Sequence, residues 1–124
     1  MTPFGEKLRE LRRARGVTQQ RMAAALGVSP AYLSAMEHGH RSAPSWPMVQ
    51  KIIGYFNVIW DEAEELQRLA ELSDPRVVVD TSGLSPQATR LANLLARRIS
   101  DMSEAELSAL IGALEGGQDG GNSA

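Results

Sequence analysis

Apolar residues recur along this chain at three- and four-residue intervals, and the runs are separated by capping residues, glycines and prolines, which predicts an all-α protein. Thr2-Pro3 offers a cap and a first helical position. Phe4, Leu8 and Leu11 then share one face of a helix that should end near Arg15, before Gly16. Thr18 caps a second run whose inner face is Met22, Ala23 and Leu26, and Gly27 suits the left-handed position just past its end. Ser29-Pro30 restarts a helix at once, with Leu33 and Met36 inward and Gly39 as its stop. Ser45 caps a fourth helix, from Pro47 to Asn57, whose buried side is Val49, Ile52, Ile53 and Phe56. Asp61 is expected to cap a fifth, striped by Leu66, Leu69, Ala70 and Leu72, and its early acids suit the helix dipole. Trp46 and Tyr55 read as packing residues.

After residue 72 the pattern changes. Ser73-Asp74-Pro75 breaks the helix, and Arg76–Thr81 is a short β-branched run. A lone strand leaves its edge unpaired. Residues 73–84 are therefore read first as a linker, and second as a strand paired with the same segment of another copy. Ser85-Pro86 opens a sixth helix, to about Ser100, along which Ala88, Leu91, Ala92, Leu95 and Ile99 make a broad stripe. Ser103 and Glu106 form a capping box, and Leu107, Leu110, Ile111 and Leu114 give the seventh helix an apolar seam. Residues 116–124, rich in glycine, have nothing to bury and are expected to stay a disordered tail. The expected layout is a five-helix domain over 1–72, a linker or short strand over 73–84, a helical hairpin over 85–115, and the tail.

The second and third helices, joined across a short turn containing Gly27, have the helix-turn-helix arrangement, which sets the second helix of the pair in the DNA major groove. The residues around that turn carry a resemblance as well. Thr18-Gln19, Met22-Ala23, Leu26-Gly-Val-Ser29, Tyr32-Leu-Ser34, Met36-Glu37 with Gly39, and Pro44-Ser45 follow in the order seen in the XRE family of bacterial and phage regulators. The chain resembles the lambda repressor and Cro type over roughly its first 60 residues. The resemblance implies a lambda-repressor-like domain that regulates transcription as a homodimer on a (pseudo)palindromic operator. It also implies a structural ion pair between Arg12 and Glu37, and a phosphate contact from Gln19.

The outward positions of the third helix are Ser29, Pro30, Ala31, Ser34 and Ala35, with Tyr32 and His38 at the margins. Members of the family often carry Gln, Asn, Lys or Arg there. Small apolar groups can meet thymine methyls and Ser can bond several bases, but none of these side chains makes a bidentate contact. Readout should lean on DNA shape and phosphates, with Gln19, Gln20 and Arg41 as the phosphate candidates. The alternative is recognition through Tyr32, His38 and Arg41.

Net charge is −2, which taken alone argues against nucleic acid. Its distribution reverses the inference. Residues 1–45 hold seven basic against three acidic side chains, whereas 46–84 hold three against seven. Arg9 and Arg15 read equally as solvated side chains or phosphate contacts. The chain has no cysteine, which removes disulfides, thiolate metal sites and cysteine nucleophiles. No apolar run approaches the roughly 20 residues that span a bilayer, and Met1–Glu6 lacks the features of a signal peptide. A cytoplasmic, nucleoid-associated protein without membrane attachment is expected. His38 and His40 have no neighbouring ligands that would make a metal site. Glu62, Glu64 and Glu65 belong to an ordinary helix start. No base, nucleophile or phosphate-cradling loop is evident, so the chain reads as a non-enzyme without cofactor or metal.

The last two helices have more apolar surface than a hairpin can hide alone. Leu91, Leu95, Ile99, Leu107, Leu110, Ile111 and Leu114 are expected to form a homodimer interface, the alternative being that they pack on the N-terminal domain of the same chain. The alternative function is an antitoxin or co-regulator that holds a protein partner through these same helices.

Overall fold

A computed structural model describes the backbone of residues 1–123 and the side chains of residues 1–116. Every regular element within it is helical: α1 Pro3–Arg15, α2 Gln19–Leu26, α3 Pro30–His38, α4 Trp46–Phe56, α5 Trp60–Glu71, α6 Pro86–Arg98, a single 3-10 turn at Ile99–Asp101, and α7 Glu104–Ser123. They fall into two units, Met1–Val77 and Val78–Ala124.

The first unit owes its helix boundaries to short polar side chains. Thr2, Thr18, Ser29 and Ser45 each accept a bond from an orphan amide of the following turn, at 3.0, 3.1, 3.0 and 3.3 Å. Gly27 takes φ +75° at the end of α2, a backbone that L side chains rarely adopt, and this lets α3 begin three residues later. Between them the helices bury one core: Phe4, Leu8 and Leu11 of α1, Met22, Ala23 and Leu26 of α2, Leu33 and Met36 of α3, Val49, Ile52 and Phe56 of α4, then Val58, Leu66 and Ala70. Each large aliphatic or aromatic side chain among them contributes about 1.5–3 kcal/mol through burial.

Several expectations about this unit need correction. Asp61 does not cap α5. Val58 is buried, which turns the chain back into helix at Trp60, two residues earlier than an Asp61 cap requires; the N-cap is Ile59, which offers no side-chain bond. Leu72 follows the last turn of α5 as its C-cap, out of helical register, and is 68% exposed rather than part of the stripe. Trp46, the first residue of α4, is 61% exposed and packs on nothing in the core, whereas Tyr55 does pack there, edge-on to Phe56. Ser73 is buried, its Oγ accepting from Phe4 N at 2.9 Å and donating to Leu69 O, so the chain beyond α5 is fastened to the start of α1.

The second unit is built differently. Ser85 caps α6, and Ser103 and Glu106 form a reciprocal capping box at 3.2 Å in each direction. The Ser103 amide and hydroxyl hold the Glu106 carboxyl below its usual range. None of residues 78–116 is buried. Residues 76–81 belong to no helix or strand. The backbone of α7 continues to Ser123, past the expected boundary at 115. The part of the expected tail formed by Ala124 and by the side chains of 117–123 lies outside the described residues.

Candidate nucleic-acid interface

The turn between α2 and α3 is held from both sides. Val28 N donates to Ala23 O at 3.0 Å, and Ser29 caps α3. Helical periodicity then divides α3 in two. Leu33, Met36 and Glu37 point inward and are buried, while Ser29, Pro30, Ala31 and His38 are exposed and Tyr32, Ser34 and Ala35 are half-buried.

Glu37 is the one charged residue in that inward row, and it is only 1% exposed. A buried carboxylate needs compensation. Arg12 of α1 supplies it, donating from Nε to Oε1 at 3.1 Å and from Nη2 to Oε2 at 3.0 Å. Gln19, the first residue of α2, donates from Nε2 to the same carboxylate at 3.4 Å. The backbone joins in, because Thr2 N donates to Glu37 O at 3.1 Å. Gly5 makes this possible: a Cβ there would sit 2.1 Å from Glu37 O. The Glu37 side chain thus ties the last turn of α1 and the start of α2 to the far end of α3, while its backbone carbonyl holds the residue that caps α1. The side-chain amide of Gln19 is oriented by this bond, and Gln20 beside it is exposed.

Beyond α3, the Arg41 guanidinium lies 4.5 Å from the Tyr32 ring centroid, a cation–π contact that braces the loop after the helix. His38 and His40 stack with centroids 6.4 Å apart, and His38 Nδ1 meets Ser34 O at 2.8 Å. Among the described residues no group of three or more His, Cys, Asp or Glu could hold a metal ion.

The basic residues of the first third divide between structural and free roles. Lys7 pairs with Glu62 and Glu65 of α5 at 3.8 and 4.0 Å. Arg15 donates to Phe56 O and lies over the Phe56 ring, which clamps the end of α1 to the end of α4. Arg15, weighed as a solvated side chain or a phosphate contact, is exposed and in addition makes this packing contact with Phe56. Arg9, Arg13, Arg21 and Arg41 are exposed and take part in no ion pair among the described residues. The packing contacts of Gly5, Arg15 and Ser73 are what sequence reasoning missed. Only Gly5 left a trace, as a glycine placed inside a helical pattern, where it needs a packing reason.

Comparison with known proteins bears on the same region. Residues 3–66 match a family described as helix-turn-helix domain. The chain belongs to the XRE-type helix-turn-helix family. This match spans α1 to the middle of α5 and stops before the second unit. The chain is similar to the uncharacterized HTH-type transcriptional regulator RghRB of Bacillus subtilis (strain 168), 39% identical over 61 residues, covering 49% of this chain and 44% of that protein. It is also similar to the uncharacterized HTH-type transcriptional regulator YazB of the same organism, 36% identical over 59 residues, covering 48% of this chain and 84% of YazB. The chain thus spans less than half the length of RghRB. No solved structure is detectably similar to the chain. Among the described residues no helix is long and apolar enough to cross a membrane.

Proposed function

We propose that this protein regulates transcription by binding double-stranded DNA, with α3 in the major groove, as a homodimer on an operator with two-fold symmetry. The observation that carries this reading is the presentation of α3. Its inner row is locked by the Arg12–Glu37–Gln19 bonds, while its cap Ser29 and first residues Pro30 and Ala31 are exposed at the end that meets base edges in this geometry. Ser34, Ala35, Tyr32 and His38 complete the facing surface. Gln19, Gln20 and Arg41 supply phosphate contacts. The regulators named among the similar proteins support the same reading. A protein of this kind works where the chromosome is, in a bacterial cytoplasm.

The test of the phosphate role is the salt dependence of binding. Arg41→Ala should weaken binding to all duplexes alike and reduce the slope of log K against log salt by about one. A loss confined to particular bases would place Arg41 at base edges instead.

The homodimer draws its support from the second unit. With none of residues 78–116 buried, Leu91, Ile99, Leu110, Ile111 and Leu114 stand exposed, and only Leu95 and Leu107 of the candidate dimerisation residues are half-covered. Leu84 and Leu94 add to the apolar surface. Exposed apolar area on this scale marks an interaction site. Ile111→Asp combined with Leu114→Asp should convert a dimer into a monomer in analytical ultracentrifugation. It should also weaken binding to a duplex with two half-sites by about a hundredfold, because the second half-site then adds nothing. A double variant that remains dimeric would move the interface elsewhere.

A second reading is favoured by the chemistry of the α3 face, which offers no side chain able to bind a base bidentately. In that reading the protein is an antitoxin or co-regulator, and the apolar surface of residues 84–115 holds a different protein. Purification alone as a dimer that binds an inverted repeat separates the first reading from the second.

A further inference from the structure

Residues 76–80, Arg-Val-Val-Val-Asp, carry three consecutive valines that are 73%, 93% and 65% exposed. Three β-branched side chains in water, on both faces of one short segment, are the pattern of a strand whose partner is elsewhere. Among the described residues, no backbone–backbone hydrogen bond reaches positions 76–80, and neither Arg76 nor Asp80 takes part in an ion pair. The segment has a property that selects one partner. It is charge-complementary to itself in reverse, with Arg76 and Asp80 equidistant from Val78.

We propose that residues 76–80 of two copies pair antiparallel about a two-fold axis at Val78, forming a ribbon between the subunits. In this register Val78 faces Val78 of the second copy, Val77 faces Val79, and each Arg76 faces an Asp80. Opposite charges placed directly across an antiparallel pair are favourable, as are facing β-branched side chains. A two-fold axis repeats both contacts, giving two ion pairs from one segment.

The structure also distinguishes between the two ladders this register allows. Arg76 N already donates to Asp74 Oδ1 at 3.0 Å, so Arg76 belongs in a pair that exchanges no backbone bonds. Alternation then makes Val78 another such pair and leaves the Val77–Val79 pairs to exchange N–H and C=O. Asp80 uses Oδ1 to accept from Ser82 N at 2.9 Å and from the Ser82 hydroxyl, bonds that hold its carboxyl below the usual range and keep it charged. A two-stranded ribbon of five residues is marginal alone, so the inference rests on the homodimer proposed above, in which the C-terminal helices bring the copies together.

The native chain has no cysteine, so single thiols report the register directly in the full-length protein. Val78→Cys places two thiols on facing residues whose Cα atoms are about 4.5 Å apart, within disulfide reach. Val77→Cys places them on diagonal neighbours at about 7–8 Å, beyond it. Under a glutathione redox buffer, V78C should give a disulfide-linked dimer about tenfold faster than V77C. In an equimolar mixture of V77C with V79C the mixed dimers, half of the total by statistics, should cross-link while the two homodimers do not. Charge exchange checks the pairing independently. Full-length R76D mixed with D80R should raise the heterodimer share from the statistical half to about nine tenths in native mass spectrometry, since each variant repels itself and attracts the other. Equal cross-linking of V77C and V78C, or heterodimers at the statistical share, would overturn the ribbon. A wild-type dimer with either result loses only the ribbon. A wild-type monomer in sedimentation overturns the ribbon and the homodimer together.

Discussion

Gly5→Ala should destabilise the first unit by about 3 kcal/mol, the upper end of the usual cost of overpacking. The new Cβ would lie 2.1 Å from Glu37 O, 2.6 Å from Glu37 Cα and 2.7 Å from Glu37 C. All three are backbone atoms of α3, so no rotamer change relieves the overlap. α1 and α3 must move apart instead. That separation stretches the Thr2 N to Glu37 O bond of 3.1 Å and the Arg12 bonds to the same residue. For a domain of this size the loss corresponds to a Tm lower by roughly 12–24 °C, readable by circular dichroism. DNA binding should weaken alongside, because the displaced element is the one proposed to enter the groove. A Tm lowered by less than about 4 °C, under 1 kcal/mol for a domain of this size, would mean that the two helices are not in contact at Gly5.

Arg12→Ala should cost about 3–5 kcal/mol, the usual penalty for removing one partner of a buried ion pair. Glu37 would keep its carboxylate in a site only 1% exposed, with the 3.4 Å bond from Gln19 as its remaining side-chain donor. Replacing both partners, as in Arg12→Met with Glu37→Leu, should recover most of that loss, since no charge is then left buried. Urea denaturation of the two single variants and the double variant forms a cycle that isolates the coupling. A single Arg12→Ala variant within about 1 kcal/mol of wild type would assign the pair no more weight than an exposed one. The double variant has a separate use. It frees Gln19 from Glu37, so a drop in DNA affinity without a drop in stability would report how far that bond orients the Gln19 amide.

Both variants concern contacts that differ in how far they could be read in advance. Helix starts and stops were legible because they are local: Thr2, Thr18, Ser29 and Ser45 bond amides three residues on, and Gly27 follows directly from the chirality of the backbone. The inward row of each N-terminal helix was legible from its 3.6-residue period, and with it the outward face of α3. The Arg12–Glu37 contact lay in the family resemblance, not in spacing, since the two residues are 25 apart in sequence. Gly5 against Glu37, Ser73 against Phe4 and Arg15 against Phe56 were hidden because they depend on how separate helices approach one another. Asp61 looked like a cap because it precedes an acidic first turn, but the burial of Val58 decides where α5 begins. Trp46 and Leu72 show the limit of ranking residues by hydrophobicity: each sits at a helix terminus, where the periodic face no longer constrains the side chain. In the second unit, periodicity located α6 and α7.

The most direct test of the proposed function is selection of fragmented genomic DNA by the purified full-length protein, followed by sequencing of the retained fragments. Enrichment of an inverted repeat, with half-sites about one helical turn apart, is the expected result. Weak, salt-sensitive retention of all fragments without an enriched repeat would contradict site-specific regulation by the homodimer.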